Sequence, residues 1–521
     1  MAPTTLIERQ DVTAINTGAK AAGAPLYKTR TKIFPKSADG AFRRLKWLIM
    51  LLTLAIYYIT PWLRWDRGVY APNQAVLVDM AHRRFYFFFI EIWPQEFFYV
   101  AGLLVMAGVG LFLVTSVVGR AWCGYTCPQT VWTDLFIAVE RFFEGDRNAR
   151  IKLDAAPWSI HKIGLRVIKH ATWIIIAVAT GGAWIFYFAD APTLLKSFIT
   201  GQAPFIAYGT VAVLTATTYV FGGLMREQVC IYMCPWPRIQ AAMLDEDSLV
   251  VTYNDWRGEP RSHGSKKALA QGLETGDCVD CNACVAVCPT GIDIRDGQQL
   301  ECITCALCID ACDSVMEKIG KPTGLISYST LHDYNHNLVL AKNPTTGVIV
   351  PHRIRDASGE FISGIRHFDW HIFFRLRTLI YLGMWGLIGI AMLYMLMTRG
   401  RLQLNVLHDR NPISVKLSDG SIRNGYTIKL LNMVPEPRVI TLSIDGLPGA
   451  QMAVAEMPEV QGRSADISVD ADKLRSLHVF VTQSAQMTAA GQVPFKITAH
   501  DKQSSEQSTY AAQFDVPGAK P

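Results

Sequence analysis

Five stretches of this chain, at residues 45–63, 97–118, 171–189, 205–224 and 379–397, are apolar over nearly the length of a bilayer-crossing helix, which needs about 20 residues. Within a hydrocarbon slab every backbone N–H and C=O must be paired inside its own segment, so each stretch is constrained to be helical. Composition points the same way: 50% of the residues are hydrophobic and 18% charged, against about 25% charged in soluble chains. A soluble enzyme and a disordered chain are both excluded. The first forty residues are polar, carry Pro25 and Pro35, and contain no apolar run followed by a small-residue cleavage site. The first span is therefore expected to remain in the mature protein.

Lysine and arginine set the expected orientation, because basic loops stay on the cytoplasmic side. Lys28, Arg30, Lys32, Lys36, Arg43, Arg44 and Lys46 lead into the first span. Arg120, Arg141, Arg147, Arg150, Lys152, Lys162, Arg166 and Lys169 separate the second from the third, whereas only Lys196 separates the third from the fourth. The expected order is a cytoplasmic tail (1–44), a four-span region (45–245), a cytoplasmic segment (246–378), a fifth span (379–397) and a far-side domain (400–521). The net charge of +6 is accounted for by this bias, so membrane lipid is the expected neighbour and nucleic acid is not. Residues 83–94, RRFYFFFIEIWP, are too short to cross and read as an interfacial segment, with a re-entrant hairpin as the alternative.

The first four spans form a coarse internal repeat. Spans one and two end in Arg120-Ala-Trp-Cys123-Gly-Tyr-Thr-Cys127-Pro128, and spans three and four end in Arg226-Glu-Gln-Val-Cys230-Ile-Tyr-Met-Cys234-Pro235. Proline is welcome at the first helical position and disfavours helix at the residue before it, which places Cys127 and Cys234 at the starts of amphipathic helices near 131–143 and 238–244. A helix N-terminus and a neighbouring arginine both favour thiolate, so lowered thiol pKa values are expected. Isolated cysteines of this kind are usually small apolar fillers. Two matched pairs favour a redox or metal role, and soft thiolates select Cu(I), zinc or iron–sulfur clusters.

The strongest motif lies between Cys278 and Cys312. Cys278-x2-Cys281-x2-Cys284-x3-Cys288-Pro289 is followed by Cys302-x2-Cys305-x2-Cys308-x3-Cys312, the spacing of a bacterial ferredoxin with two [4Fe–4S] clusters. In that arrangement the fourth cysteine of each run serves the other cluster. Cys278, Cys281, Cys284 and Cys312 are thus assigned to one cluster, and Cys302, Cys305, Cys308 and Cys288 to the second, in a module with its core at 275–320. Asp313 stands where the pattern has proline. Zinc fits these spacers less well, and disulfides do not suit a cytoplasmic module. Residues 253–275 read as a linker, and His332, His336, His352, His367 and His371 show no spacing that favours a metal.

After residue 402 the pattern becomes one of short alternating strands, at 402–407, 413–417, 426–431, 439–444, 478–482, 493–499 and 510–516, separated by turn signals such as Ser418-Asp-Gly-Ser and Asp445-Gly-Leu-Pro-Gly. About seven strands suggest an all-β immunoglobulin-like sandwich. It carries no cysteine. Met392, Met395 and Met397 at the end of the fifth span read as packing or lipid-facing residues.

Both C-x-x-x-C-P motifs, the run Cys288-Pro-Thr-Gly-Ile-Asp-Ile-Arg-Asp-Gly, Leu300-Glu-Cys-Ile-Thr-Cys, and the tail segments Asp409-Arg-Asn-Pro and Leu417-Ser-Asp-Gly-Ser-Ile-Arg-Asn-Gly-Tyr-Thr closely resemble the cytochrome c oxidase accessory family called CcoG, FixG or RdxA. The resemblance covers nearly the whole chain after the N-terminal tail. It implies an iron–sulfur protein of the bacterial inner membrane with a periplasmic C-terminal domain. It also implies cupric reductase activity in assembly of the cbb3-type oxidase, with copper as a transient substrate and copper chaperones and assembly factors as partners. The expected copper site is Cys123, Cys127, Cys230 and Cys234, supplied with electrons from a cytoplasmic donor through the ferredoxin clusters. The alternatives are a quinol-linked subunit of anaerobic respiration, a non-redox scaffold or metallochaperone, and a further iron–sulfur cluster at the four C-x-x-x-C-P cysteines.

Overall fold

The computed structural model describes residues 32–262, 275–347, 349–356, 361–366, 370–484 and 491–517. It divides into two compact units, one comprising the chain up to Leu63 with Val76–Ile390, the other Arg64–Ala75 with the chain from Ala391 onward.

Five helices of the described residues are long and apolar enough to cross a membrane: Ala41–Trp62, Pro94–Val118, Ile160–Ile185, Phe205–Met225 and Leu376–Thr398. Their α-helical portions, with three amphipathic or ferredoxin helices and a short one between them, are labelled in chain order. These are α1 (Ala41–Ile59), α2 (Phe98–Val118), α3 (Pro128–Glu144), α4 (Ile160–Ile185), α5 (Phe205–Thr218), α6 (Trp236–Met243), α7 (Ala283–Val287), α8 (Leu307–Ile319) and α9 (Leu376–Thr398). The third span starts well before the apolar run at 171–189. Its first turns are basic, and hydropathy does not register a helix whose Lys162 and Lys169 are buried against carbonyls and carboxylates.

The spans alternate in direction, so the starts of the odd ones and the ends of the even ones share one face. At the start of α9, Arg375 pairs with Asp245 at 3.0 Å and donates to the Ser116 carbonyl near the end of α2. At the start of α1, the backbone N–H of Arg43 donates to Asp310 of α8 at 2.7 Å. On this face α3 supplies buried carboxylates to the surrounding helices: Asp134 holds Arg43 at 2.9 Å, and Glu140 holds Arg150 at 2.7 Å and Arg226 at 2.6 Å.

Residues 83–94, read from the sequence as an interfacial segment or a re-entrant hairpin, are built of strands and turns. Strands β1 (Val76–Asp79), β2 (Arg84–Phe87) and β3 (Ile90–Ile92) form an antiparallel meander, with positive φ at Arg83 and Phe88 making the turns. Arg84 and Glu91 pair with each other across the strands at 3.2 Å. The proposed linker also needs correction where it is described, since 263–274 lie outside the described residues. Strand β4 (Val250–Tyr253) pairs with β5 (Ile326–Ser329). Trp256 and Arg257 are then buried, with Arg257 bound to Asp277 and to the carbonyls of Pro322 and Thr323. A glycine- and proline-rich composition conceals a stretch held by one buried guanidinium.

The second unit is a two-sheet antiparallel sandwich. One sheet runs β11-β10-β13-β8-β6 with β7 on β8, and the other runs β12-β9-β14-β15. The strands are β6 (Leu402–His408), β7 (Val415–Lys416), β8 (Ile422–Asn432), β9 (Arg438–Asp445), β10 (Gln451–Val454), β11 (Met457–Gly462), β12 (Ser464–Val469), β13 (Leu474–Gln483), β14 (Gly491–Asp501) and β15 (Gln507–Val516). Alternate residues such as Tyr426, Ile428, Leu430, Ile440, Leu442 and Val479 point into a single core, the pairing rule of half-buried strands. Three strands between 451 and 469 exceed the expected seven. They are short and interrupted by Pro458 and Gly462, which weakens their alternation.

Candidate functional site

The ferredoxin cysteines line two cavities. Cys278, Cys281, Cys284 and Cys312 surround one of about 330 Å³. Cys288, Cys302, Cys305 and Cys308 surround the other, of about 380 Å³, with Cys284 on its edge. The two C-x-x-C turns are built alike. Asp280 and Asn282 flank Cys281 with positive φ, and Thr304 and Ala306 flank Cys305 in the same way. None of the four is glycine, and such residues cost about 1–3 kcal/mol each unless the surroundings enforce them. The coiling turns backbone N–H groups onto sulfur: Ala283 donates to Cys281, Thr304 to Cys302 and Leu307 to Cys305.

The donor set fits a cluster. Burial, reinforced by neighbouring sulfurs, pushes Cys302 up to about 12 and Cys308 and Cys312 well above the ordinary thiol value. A set of thiolates in such a place calls for the positive charge of iron. Among the described residues no three His, Cys, Asp or Glu side chains close on a single-ion position. The sulfurs ring volumes rather than points, which suits a multi-atom cluster and not one zinc ion. Arg295 adds positive charge to the first cavity while held by Asp293 and Asp280 at 2.6 and 2.8 Å. Asp313, in the place of proline, accepts the backbone N–H of Gly324 at 2.8 Å and so fastens the loop after α8.

Cys123, Cys127, Cys230 and Cys234 come together at the shared face, close enough that Cys123 feels the charge of the other three. Cys127 is the N-cap of α3, with Pro128 at the first helical position, and Cys234 stands one residue before the cap of α6. The two copies of the repeat differ locally: Cys123 lies in an α-helical turn, Ala121–Tyr125, whereas Cys230 lies in a π-helical one, Val229–Met233. The expected lowering of thiol pKa is reversed at Cys123 and Cys230. Burial pushes Cys123 up to about 12, with Cys127 and Cys230 adding and Arg120 opposing, and burial with Cys127, Cys234 and Glu227 pushes Cys230 to about 12. The arginines are committed elsewhere. Arg226 points to Glu140, and Arg120 donates to the carbonyls of Leu300, Cys302 and Pro237.

This four-cysteine locus is pressed against the Cys302–Cys308 loop. A Cβ on Gly124 would meet the Ile303 carbonyl at 2.7 Å and the Cys305 Cα at 3.0 Å, so only glycine permits the approach. The Tyr125 hydroxyl donates to the Cys305 carbonyl at 3.2 Å, and Cys123 packs on the cluster of Val287, Ile303, Cys305 and Leu307. Gln240, fully buried on α6, accepts the Cys123 thiol at 3.0 Å. Sequence reasoning missed Gly124, Tyr125, Asp310 and Gln240. The first three lie inside the cysteine spacers, where an unusual spacer residue is the available signal; Gln240 carries none. Of the histidines, His332 and His336 bond to Arg366 and the Gly364 carbonyl; the side chains of His352 and His371, and all of His367, lie outside the described residues.

Comparison with known proteins places these features in context. Residues 100–145 match the 4Fe-4S binding domain family, 225–331 the 4Fe-4S dicluster domain family, and 392–517 the family described as an IG-like fold at the C-terminus of FixG. The chain is 64% identical to nitrogen fixation protein FixG of Rhizobium meliloti over 98% of each chain. It is 50% identical to protein RdxA of Cereibacter sphaeroides over 88% of this chain and 90% of the relative. To RdxB of the same organism it is 54% identical over 80% and 83%.

Proposed function

The chain belongs to the family of FixG, RdxA and RdxB, and from that premise we propose that it is a membrane-bound iron–sulfur electron-transfer protein that reduces Cu(II) to Cu(I). The reduced copper serves delivery and assembly of a cbb3-type oxidase through copper chaperones. The location is the bacterial inner membrane, with the ferredoxin module cytoplasmic and the sandwich periplasmic. The observation that carries this reading is the packing of Cys123 and Gly124, in the first C-x-x-x-C-P motif, against Ile303 and Cys305.

Cys278, Cys281, Cys284 and Cys312 hold one [4Fe–4S] cluster and Cys288, Cys302, Cys305 and Cys308 the other; bound there, they supply one-electron transfer. The residues around them do the rest. Gly124 and Tyr125 bring the copper-binding sulfurs to the edge of the second cavity, and Arg120 fastens the two loops together through backbone carbonyls. Copper changes its preference on reduction, from nitrogen and oxygen donors to sulfur, so thiols at Cys123, Cys127, Cys230 and Cys234 favour the product state.

Replacing all four with serine is expected to abolish Cu(II) reduction by dithionite-reduced protein while iron content stays at about eight per chain. Full activity in that variant sinks the copper site. A second reading is favoured by one observation: the 4Fe-4S binding family matches the residues around Cys123 and Cys127. If these four cysteines hold a further cluster, iron rises to about twelve per chain and the quadruple variant loses about four.

A further inference from the structure

An open cleft of about 420 Å³ lies beside Cys302, outside the four-cysteine locus. Cys302, Val251 and Ile294 line both this cleft and the second cysteine cavity, so a single wall separates a molecule in the cleft from that cavity. The cleft sits where span two ends. Arg120 follows α2 by two residues, Leu244 follows α6 directly, and the backbone N–H of Leu249 donates to the Val117 carbonyl at 3.1 Å.

The lining states what kind of molecule fits. Leu244, Val251, Ile294 and Leu300 supply aliphatic surface, and Asp245, Glu246, Ser248, Gln298, Gln299 and Thr304 supply polar groups for ring oxygens. Among the described lining residues there is no aromatic face for a flavin ring. The single cation, Arg120, is already spent on the carbonyls of Leu300, Cys302 and Pro237, which leaves a phosphate without an anchor. The volume accommodates a small cofactor, and the position at the end of span two favours one that partitions into lipid.

We propose that this cleft binds a hydroquinone, the two-electron donor for the electron-transfer reading above, on which the inference rests. Oxidation of the bound hydroquinone to quinone releases two electrons and two protons. One electron goes to each of the two bound [4Fe–4S] clusters, and the protons leave through the Glu246 carboxylate and water. Glu246 is exposed and suited to pass protons outward.

The test uses the full-length, cluster-loaded protein in lipid nanodiscs, with a photoreactive azidoquinone as label, menadiol as reductant, and the variant Leu300→Trp, which fills the cleft with a side chain that begins 55% exposed. The label is expected on peptides spanning 241–251 and 294–304, displaced by menaquinone analogues. In Leu300→Trp, labelling and menadiol-driven bleaching of the clusters fall by about tenfold, the equivalent of one overpacked side chain. Dithionite-driven copper reduction stays at the wild-type rate. Labelling elsewhere, indifference of Leu300→Trp, or bleaching by reduced flavin mononucleotide but not by menadiol overturns the proposal. Loss of copper reduction in the dithionite arm tests the preceding section instead, because the quinone label and the menadiol arm read the cleft whether or not copper is reduced.

Discussion

Gln240 decides what Cys123 can be. The Thr115 hydroxyl donates to the Leu111 carbonyl at 2.7 Å and so receives the Gln240 amide N–H at 3.2 Å. The Gln240 carbonyl is thereby turned to Cys123, which it can meet only as a thiol donor. A neutral, buried partner of this sort opposes thiolate and agrees with the upward shift of that group. Asp245 shows the opposite sign on the same face. Burial raises its carboxyl, but hydrogen bonds from Ser248, Arg375 and Arg377 outweigh burial and hold it down at about 2. A carboxylate lowered below its unfolded value, about 3.9, stabilises the fold above that value and loses the contribution as pH falls through the folded one. Asp245→Asn is therefore expected to melt earlier than wild type at neutral pH, with the gap constant down to about pH 4 and closing toward about pH 2. Thermal melts of the two proteins across that range check it; a gap unchanged at the acid end contradicts the assignment.

Between elements, the decisive contact is the cap that α8 gives α1. Asp310 accepts the backbone N–H groups of Phe42 and Arg43, and no Cβ fits at Gly40 between them. A ferredoxin helix thus supplies the carboxylate that the first span lacks at its own N-terminus. Asp310→Ala should cost about 1–2 kcal/mol, the upper range for a lost cap, and should appear as faster hydrogen exchange in the first turn of α1 with iron content unchanged. Iron loss without faster exchange would place Asp310 in the cluster fold instead. This contact was closed to the sequence because its two halves are 268 residues apart. What the sequence did disclose is local: hydropathy located the spans, and cysteine spacing located the two C-x-x-C turns. It failed where tertiary partners compensate for a weak local pattern. The basic start of α4 is neutralised by Glu140 and Glu144 of α3. The strand at 250–253 needs β5 more than seventy residues away, and β10 to β12 take their register from β13 and β9. Several basic residues that suggested orientation, Arg43, Lys46, Arg150 and Lys169, are buried in ion pairs with α3.

At the scale of the whole molecule, the first unit concentrates its chemistry on one face. The starts of α1, α4 and α9, the ends of the second and fourth spans, both C-x-x-x-C-P loops and the ferredoxin loops meet there. The Cys302–Cys308 loop is the hub. Arg120, Gly124 and Tyr125 hold its backbone from one side, Tyr328 holds the Thr304 carbonyl at 3.0 Å, and Asp310 follows it into α8. Its own backbone is strained at Thr304 and Ala306, a geometry that persists only while its surroundings enforce it. Without iron the buried cysteines lose the bonds that tie them together and are left as unlinked thiols, so metal removal should release this loop first. The release should then travel along the named contacts. Iron chelation under anaerobic conditions is expected to speed hydrogen exchange at 302–308, then at 120–127 and the first turn of α1. Strands β8, β9, β13 and β14 should keep their protection, because their core is formed entirely from residues of the second unit. Exchange measured by mass spectrometry before and after chelation reads all of these regions at once. If 302–308 loosens while 120–127 stays protected, the two cysteine loops are not mechanically joined, and the close approach at Gly124 loses its role in bringing the four sulfurs to the second cavity.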